Sequence, residues 1–233
     1  MNRNLLAAAV CLALALPLAQ RALGVAGARQ EYIDAAHAKP NLDRGAELFR
    51  TCLACHGPTG QGVLDGRVPR IGGQHFSVLI AQLVDYRHGN RWDPRMEHFA
   101  DQHHLGDAQA VADVAAYVSR LESTSKDGVG VGSGQFAERG AALYSRSCAS
   151  CHGVGGEGDA KQRIPQVAGQ HYEYLRRQIY DGVDGRRPNF SNAHIRLFAS
   201  LDHDDITGVA DFLARTPRVV DLRTLQELAA VPK

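Results

Sequence analysis

The chain is short of the side chains on which several protein classes depend. Its 233 residues include five cysteines and two methionines, and 26 lysines and arginines against 25 aspartates and glutamates leave a formal charge of only +1. A balance this even offers no basic footprint for nucleic acid, so the expected partners are proteins. Four of the cysteines stand in two close pairs and the fifth, Cys11, lies in an apolar N-terminal run, so none remains for a structural disulfide or a further thiolate ligand. The methionines are Met1 and Met96, which leaves one away from the chain start.

What the chain does have is a repeated pentapeptide, Cys52-Leu53-Ala54-Cys55-His56 and Cys148-Ala149-Ser150-Cys151-His152. Two thiols three positions apart can each add across a haem vinyl group, and the adjacent histidine then lies under the porphyrin as an iron ligand. A thioredoxin-like pair does not need that histidine, and a zinc ribbon spaces its second pair about 15 to 20 residues from the first. Here 93 positions separate Cys55 from Cys148 (148 minus 55). Two covalent c-type haems are expected, with His56 and His152 as iron ligands.

The copies are offset by 96 (148 minus 52), which divides a chain of this length into two small units. Units of that size have little core of their own, so haem must supply much of the buried apolar surface and the apo-protein should fold poorly.

Asn2-Arg3-Asn4, the apolar run Leu5 to Leu18 and the small-residue site Ala26-Gly27-Ala28 make a secretory signal peptide over 1–28. An uncleaved N-terminal anchor is the alternative, and either form places the haem domains in the periplasm. Losing Arg3 and Arg21 with the leader would take the charge from +1 to −1.

Asp43 is expected to cap a helix carrying Gly45, Leu48 and Phe49 to the first motif, and Gly140, Leu143 and Tyr144 repeat it before the second. Pro69-Arg70-Ile71-Gly72-Gly73-Gln74-His75 recurs as Pro165-Gln166-Val167-Ala168-Gly169-Gln170-His171, each opening an amphipathic helix. Helices over 108–121 and 204–215 close the units, with Tyr117 and Phe212 set to pack on the motif-bearing helix. The domains are therefore read as 42–122 and 135–215. Ser- and Gly-rich 123–134 has the composition of a flexible linker, and the tail 216–233 shows leucines at helical spacing. Trp92 and Tyr180 are expected to pack, and His75 and His171 to hold structure rather than ligate.

With both motifs, both proline-to-Gly-Gln segments and both closing helices, residues 42 to 215 resemble the tandem dihaem class I cytochromes c of the cytochrome c4 type. That resemblance implies an all-α fold of two tandem cytochrome c domains, each wrapped around one covalent haem, passing single electrons in the periplasm. It also implies that Cys52, Cys55, Cys148 and Cys151 attach the haems. The carbonyls of Pro69 and Pro165 would accept from the Nδ1 of the ligating histidines, although both prolines also serve as rigid turns.

The chain departs from the family at the distal ligands, where members supply a methionine before each closing helix. Met96 on 93–96 is expected for the first iron, with His98 as its alternative. Counting at the motif offset sets Asn192 opposite Met96 and His194 opposite His98. Asparagine binds haem iron poorly and imidazole well, so His194 is expected on the second iron, against a surface histidine and an open iron.

The function that follows is electron carriage between redox proteins: a quinol-oxidising complex, a periplasmic dehydrogenase, or a terminal oxidase or reductase. Membrane association would come only through a partner or an uncleaved leader. A dihaem enzyme of the peroxidase or sulfur-compound dehydrogenase type, with a labile second iron, and a haem subunit of a larger dehydrogenase are the alternatives.

Overall fold

The computed structural model describes residues 26–123 and 128–218. Among them the regular structure is helical, with one isolated bridge between Asp159 and Ile164. Residues 26–37 form α1. The first half continues with α2 (Leu42–Phe49), α3 (Leu53–His56), α4 (Phe76–Arg87), α5 (Pro94–Ala100), α6 (Gln102–Leu105) and α7 (Ala108–Ser119). The second half repeats the pattern as α8 (Ala137–Ser147), α9 (Ala149–His152), α10 (Tyr172–Val183), α11 (Asn192–Ala199) and α12 (His203–Arg215). Most of the expected leader and most of the tail lie outside the described residues.

Glycine brings the motif-bearing helix against the closing one. A Cβ on Gly45 would stand 2.2 Å from the Asp113 carbonyl oxygen, and one on Gly140 would stand 2.0 Å from that of Gly208, so only a bare backbone fits. One turn on, the rings of Phe49 and Tyr117 meet at 5.5 Å, as do those of Tyr144 and Phe212. Phe49, Ile80, Val84, Val111 and Val114 build the first core, and Leu143, Tyr144, Leu175, Val209 and Leu213 the second.

Each closing helix also buries an aspartate that receives the incoming chain. Asp113 accepts from the Asn41 backbone N–H at 2.8 Å and pairs with Arg44 at 3.0 Å. Asp211 accepts from Gly132 and Gly134 at 2.8 and 2.6 Å and from Arg215 at 2.8 Å.

Several expectations change. The cap of α2 is Asn41, whose side chain accepts from the Arg44 N–H, while Asp43 sits in the first turn. Trp92 is 56% exposed rather than packed. Part of the segment read as a flexible linker lies outside the described residues, but Gly130, Gly132 and Gly134 are held by backbone and Asp211 bonds. Glycine serves there for close approach, since a Cβ on Gly130 would fall 1.8 Å from the Leu64 carbonyl oxygen. The stretch ahead of Leu42 is also part of the fold: Ala28 and Ala35 are buried, and Glu31 binds Arg87 and, at 2.7 Å, His88.

The two halves meet through the repeated Gly-Gln-His segments. Gln74 binds the backbone of Gln166 and Gln170 that of Arg70, with all four residues buried. His171 Nδ1 accepts from the Gly130 N–H at 3.1 Å, which leaves Nε2 to donate to the Gln61 carbonyl at 2.8 Å. His75 donates in the same way to the Glu157 carbonyl at 2.8 Å. Burial holds the His171 pKa below the ordinary imidazole value, opposed by its bond to Gln61 and reinforced by Arg70. A depressed folded pKa means that the unfolded chain binds the extra proton, so this stabilisation is complete above about pH 6.5 and is lost as pH falls through the folded value. Thermal unfolding followed from neutral to acid pH should show a steeper loss of stability for the wild type than for His171→Gln.

Candidate functional site

Each C-x-x-C-H stretch folds as a single helical turn with its first cysteine at the N-cap. The N–H of His56 bonds the Cys52 carbonyl at 2.9 Å and that of His152 the Cys148 carbonyl at 3.0 Å, which gathers both thiols and the imidazole at one wall. Gly57 and Gly153 end the turns at φ of 73° and 80°, a conformation that favours glycine.

His56 and His152 donate from Nδ1 to the carbonyls of Pro69 and Pro165, both at 3.1 Å. This fixes the tautomer with Nε2 bare, and burial lowers both pKa values despite the opposing bonds. The neutral form is the one that binds metal. Burial, with Cys55 nearby, pushes the Cys52 thiol up to about 11, and burial raises Cys148 as well. Metal-binding cysteines are thiolates. Among the described residues no group of three or more His, Cys, Asp or Glu side chains is arranged to hold a metal ion.

The residues expected opposite these histidines lie on short helices rather than in loops. Asp93 caps α5 and Ser191 caps α11, each accepting from the backbone within the first turn. Met96 and His194 both occupy the third helical position after their caps, so they correspond at an offset of 98, not 96. Two extra residues between Arg187 and Ser191 produce the shift, and they mislead a count taken from the motifs alone. Met96 lines the same cavity as His56, while His98 is exposed and packs against His104 with tilted rings whose centroids are 3.8 Å apart.

In the second half the ring of His194 faces that of His152, with centroids 6.1 Å apart and planes crossing at 75°. Two imidazoles on opposite sides of one iron, each about 2 Å from nitrogen to metal, have ring centres roughly 6 Å apart. His194 Nδ1 bonds Ser191 Oγ at 2.9 Å, and with Nδ1 as the donor the Nε2 is left bare to bind iron. Phe190 and Phe198 pack against its ring at 5.3 and 5.6 Å. Burial lowers its pKa, helped by His152 and Arg187.

A mostly apolar cavity of about 1650 Å³ runs through both halves, lined by all four motif cysteines, His56, Met96, His152 and His194. Single-ligand pockets run to roughly 300–1,000 Å³, so this volume suits two large flat groups. Between the halves Arg91 and Arg187 reach the same space. Arg91 is buried and bonds Gln178 and Tyr174, both at 2.6 Å, and Arg187 bonds Gln82 at 3.2 Å. Burial beside Arg91 pushes the Arg187 pKa down to about 10. Two guanidiniums forced together at an apolar cavity match carboxylate ligands, and haem carries two carboxylates on its edge. The sequence holds a trace of this pair, since Arg91 and Arg187 stand at the motif offset of 96. Ala28 and Tyr32 of α1 line the cavity too, although the sequence reads Ala28 only as a cleavage site and marks Tyr32 with no motif.

The family model for cytochrome c matches residues 42–122 and 137–217. The chain is 27% identical over 201 residues to cytochrome c4 of Azotobacter vinelandii, covering 76% of this chain and 90% of that one. It is 31% identical to a thiosulfate dehydrogenase electron acceptor of Stutzerimonas stutzeri, covering 70% of this chain and 77% of the other. The crystal structure of reduced cytochrome c4 from Pseudomonas stutzeri superimposes with a TM-score of 0.66 at 26% identity, covering 76% of this chain and 98% of that one. The chain therefore belongs to the cytochrome c family, as a tandem dihaem class I cytochrome of the cytochrome c4 type that binds two covalent c-type haems and transfers electrons.

Proposed function

We propose that this protein is a periplasmic shuttle that carries single electrons between respiratory partners and performs no substrate chemistry itself. In this reading Cys52, Cys55, Cys148 and Cys151 attach the haems, His56 and Met96 ligate the first iron, and His152 and His194 ligate the second. Pro69 and Pro165 orient the proximal rings. When bound, haem supplies a one-electron ferric/ferrous couple. The chain would supply two fixed ligands to each iron and a largely apolar surround, so that electron transfer requires little rearrangement.

The observation that carries this reading is the pair of opposed imidazoles 6.1 Å apart, because an enzyme of the peroxidase or sulfur-oxidising type needs an open iron position. The apolar run Leu5 to Leu18 supports export, and among the described residues no helix is long and apolar enough to cross a membrane. Similarity to a thiosulfate dehydrogenase electron acceptor favours a periplasmic dehydrogenase as donor, ahead of a quinol-oxidising complex. A terminal oxidase or reductase is the matching acceptor.

Anaerobic reductive titration should consume two electrons per chain. The same preparation should show no sustained turnover of thiosulfate with an artificial acceptor, or of hydrogen peroxide with a donor. Turnover of either substrate by the pure chain would replace the carrier reading with the enzymatic one.

A further inference from the structure

We infer that Gln74 and Gln170 are positioning residues that set the redox balance of the haem in the opposite half. The inference rests on His56 and His152 being axial ligands. It starts from two peptide units, each hydrogen-bonded at both ends. In the Pro69–Arg70 unit the carbonyl accepts from His56 Nδ1 at 3.1 Å, and the amide N–H donates to Gln170 Oε1 at 2.9 Å. In the Pro165–Gln166 unit the carbonyl accepts from His152 Nδ1 at 3.1 Å, and the amide N–H donates to Gln74 Oε1 at 3.0 Å. Each glutamine therefore lies one peptide away from the proximal histidine of the other half.

The glutamine orientations follow from their partners. Gln170 Nε2 donates to the Arg70 carbonyl at 2.8 Å and Gln74 Nε2 to the Gln166 carbonyl at 2.9 Å. Each Oε1 also accepts the backbone N–H of the next residue, His171 or His75, at 3.0 Å. Reversing either amide would set oxygen against oxygen and N–H against N–H. The glutamines are 8% and 6% exposed, so water does not compete for these bonds.

Hydrogen bonds in series polarise one another, and more so in a low dielectric. Drawing on the amide N–H makes the proline carbonyl more negative, which strengthens its hold on the Nδ1 proton and gives the imidazole more anionic character. A more basic ring is a stronger donor to iron and favours the ferric state. Gln170, from the second half, thus holds the first haem's potential down, and Gln74, from the first half, does the same for the second haem. The connection is also broken if the halves separate, so docking itself tunes both centres.

The test is a spectroelectrochemical titration of the holo-protein and two variants, with the first haem followed by the charge-transfer band of a thioether-bound ferric iron. Gln170→Leu should raise the midpoint of the first haem and leave the second in place, and Gln74→Leu should do the reverse. The expected size is up to about tenfold in the reduction equilibrium, which for one electron is about 59 mV. Gln170→Asn, too short to reach Arg70, carries the same expectation and serves if leucine prevents folding. Midpoints that stay put, move together in both variants, or move in the mutated half overturn the inference while low-spin spectra persist. Absence of low-spin spectra in the wild type would instead overturn the ligation beneath it.

Discussion

Replacing Cys148 and Cys151 together by alanine should give a protein that keeps one covalent haem and loses the folded state of its C-terminal half. The reason is volume. The cavity through both halves measures about 1650 Å³, and a second site without haem would leave its apolar walls against water instead of porphyrin. Whole domains are stable by only about 5–15 kcal/mol. The second core, built from Leu143, Tyr144, Leu175, Val209 and Leu213, cannot close around such a void. Pyridine haemochrome assay should fall from two haems per chain to one, and far-ultraviolet circular dichroism should lose most of the helix of α8 to α12. Native helicity with an unfilled second site would refute this.

Much of that architecture is legible in the residues themselves. A pentapeptide with two thiols and an imidazole carries its chemistry in five adjacent positions, so the attachment sites need no fold to be seen. The glycines of the motif helices also reveal themselves, because each recurs four residues before an aromatic in both copies. The distal side is harder to read. Met96 and His194 are equivalent because each sits three residues after a helix cap, and a two-residue insertion hides that equivalence from a count at offset 96. The clasp is harder still, since Gln170 and Arg70 are 100 residues apart and nothing local marks their contact. Residues 26–28 read as the end of a leader because small residues suit both a cleavage site and a tightly packed helix. In the folded chain Ala28 is 7% exposed. Trp92 misleads in the opposite sense, as a large aromatic that stays at the surface.

The second large effect belongs to His194. Thioether ligation favours ferrous iron, whereas a second imidazole, a stronger donor, favours ferric iron and lowers the potential. Under the proposed ligation the second haem is the low-potential centre and the first the high-potential one, and an electron entering at the C-terminal half moves downhill to the N-terminal half. His194→Met should raise the lower midpoint toward the upper, by a sizeable part of the roughly 0.8 V over which axial ligands tune haem iron. Ser191 Oγ loses its bond to Nδ1 in the variant but keeps the backbone N–H of residue 194, so the cap of α11 survives. Two midpoints unmoved by the substitution would mean that His194 is not a ligand and that the second iron is open to substrate.

Low-temperature electron paramagnetic resonance of the fully oxidised wild type tests the pairing of unlike irons most directly. As ligands of one iron, rings crossing at 75° would leave two d orbitals nearly degenerate, so under the proposed ligation the second haem should give the highly anisotropic low-spin signal of near-perpendicular imidazoles. The first should give a separate low-spin signal from its histidine–methionine pair, lost in Met96→Ala. A high-spin signal from the second haem, or two identical low-spin signals, would contradict the account.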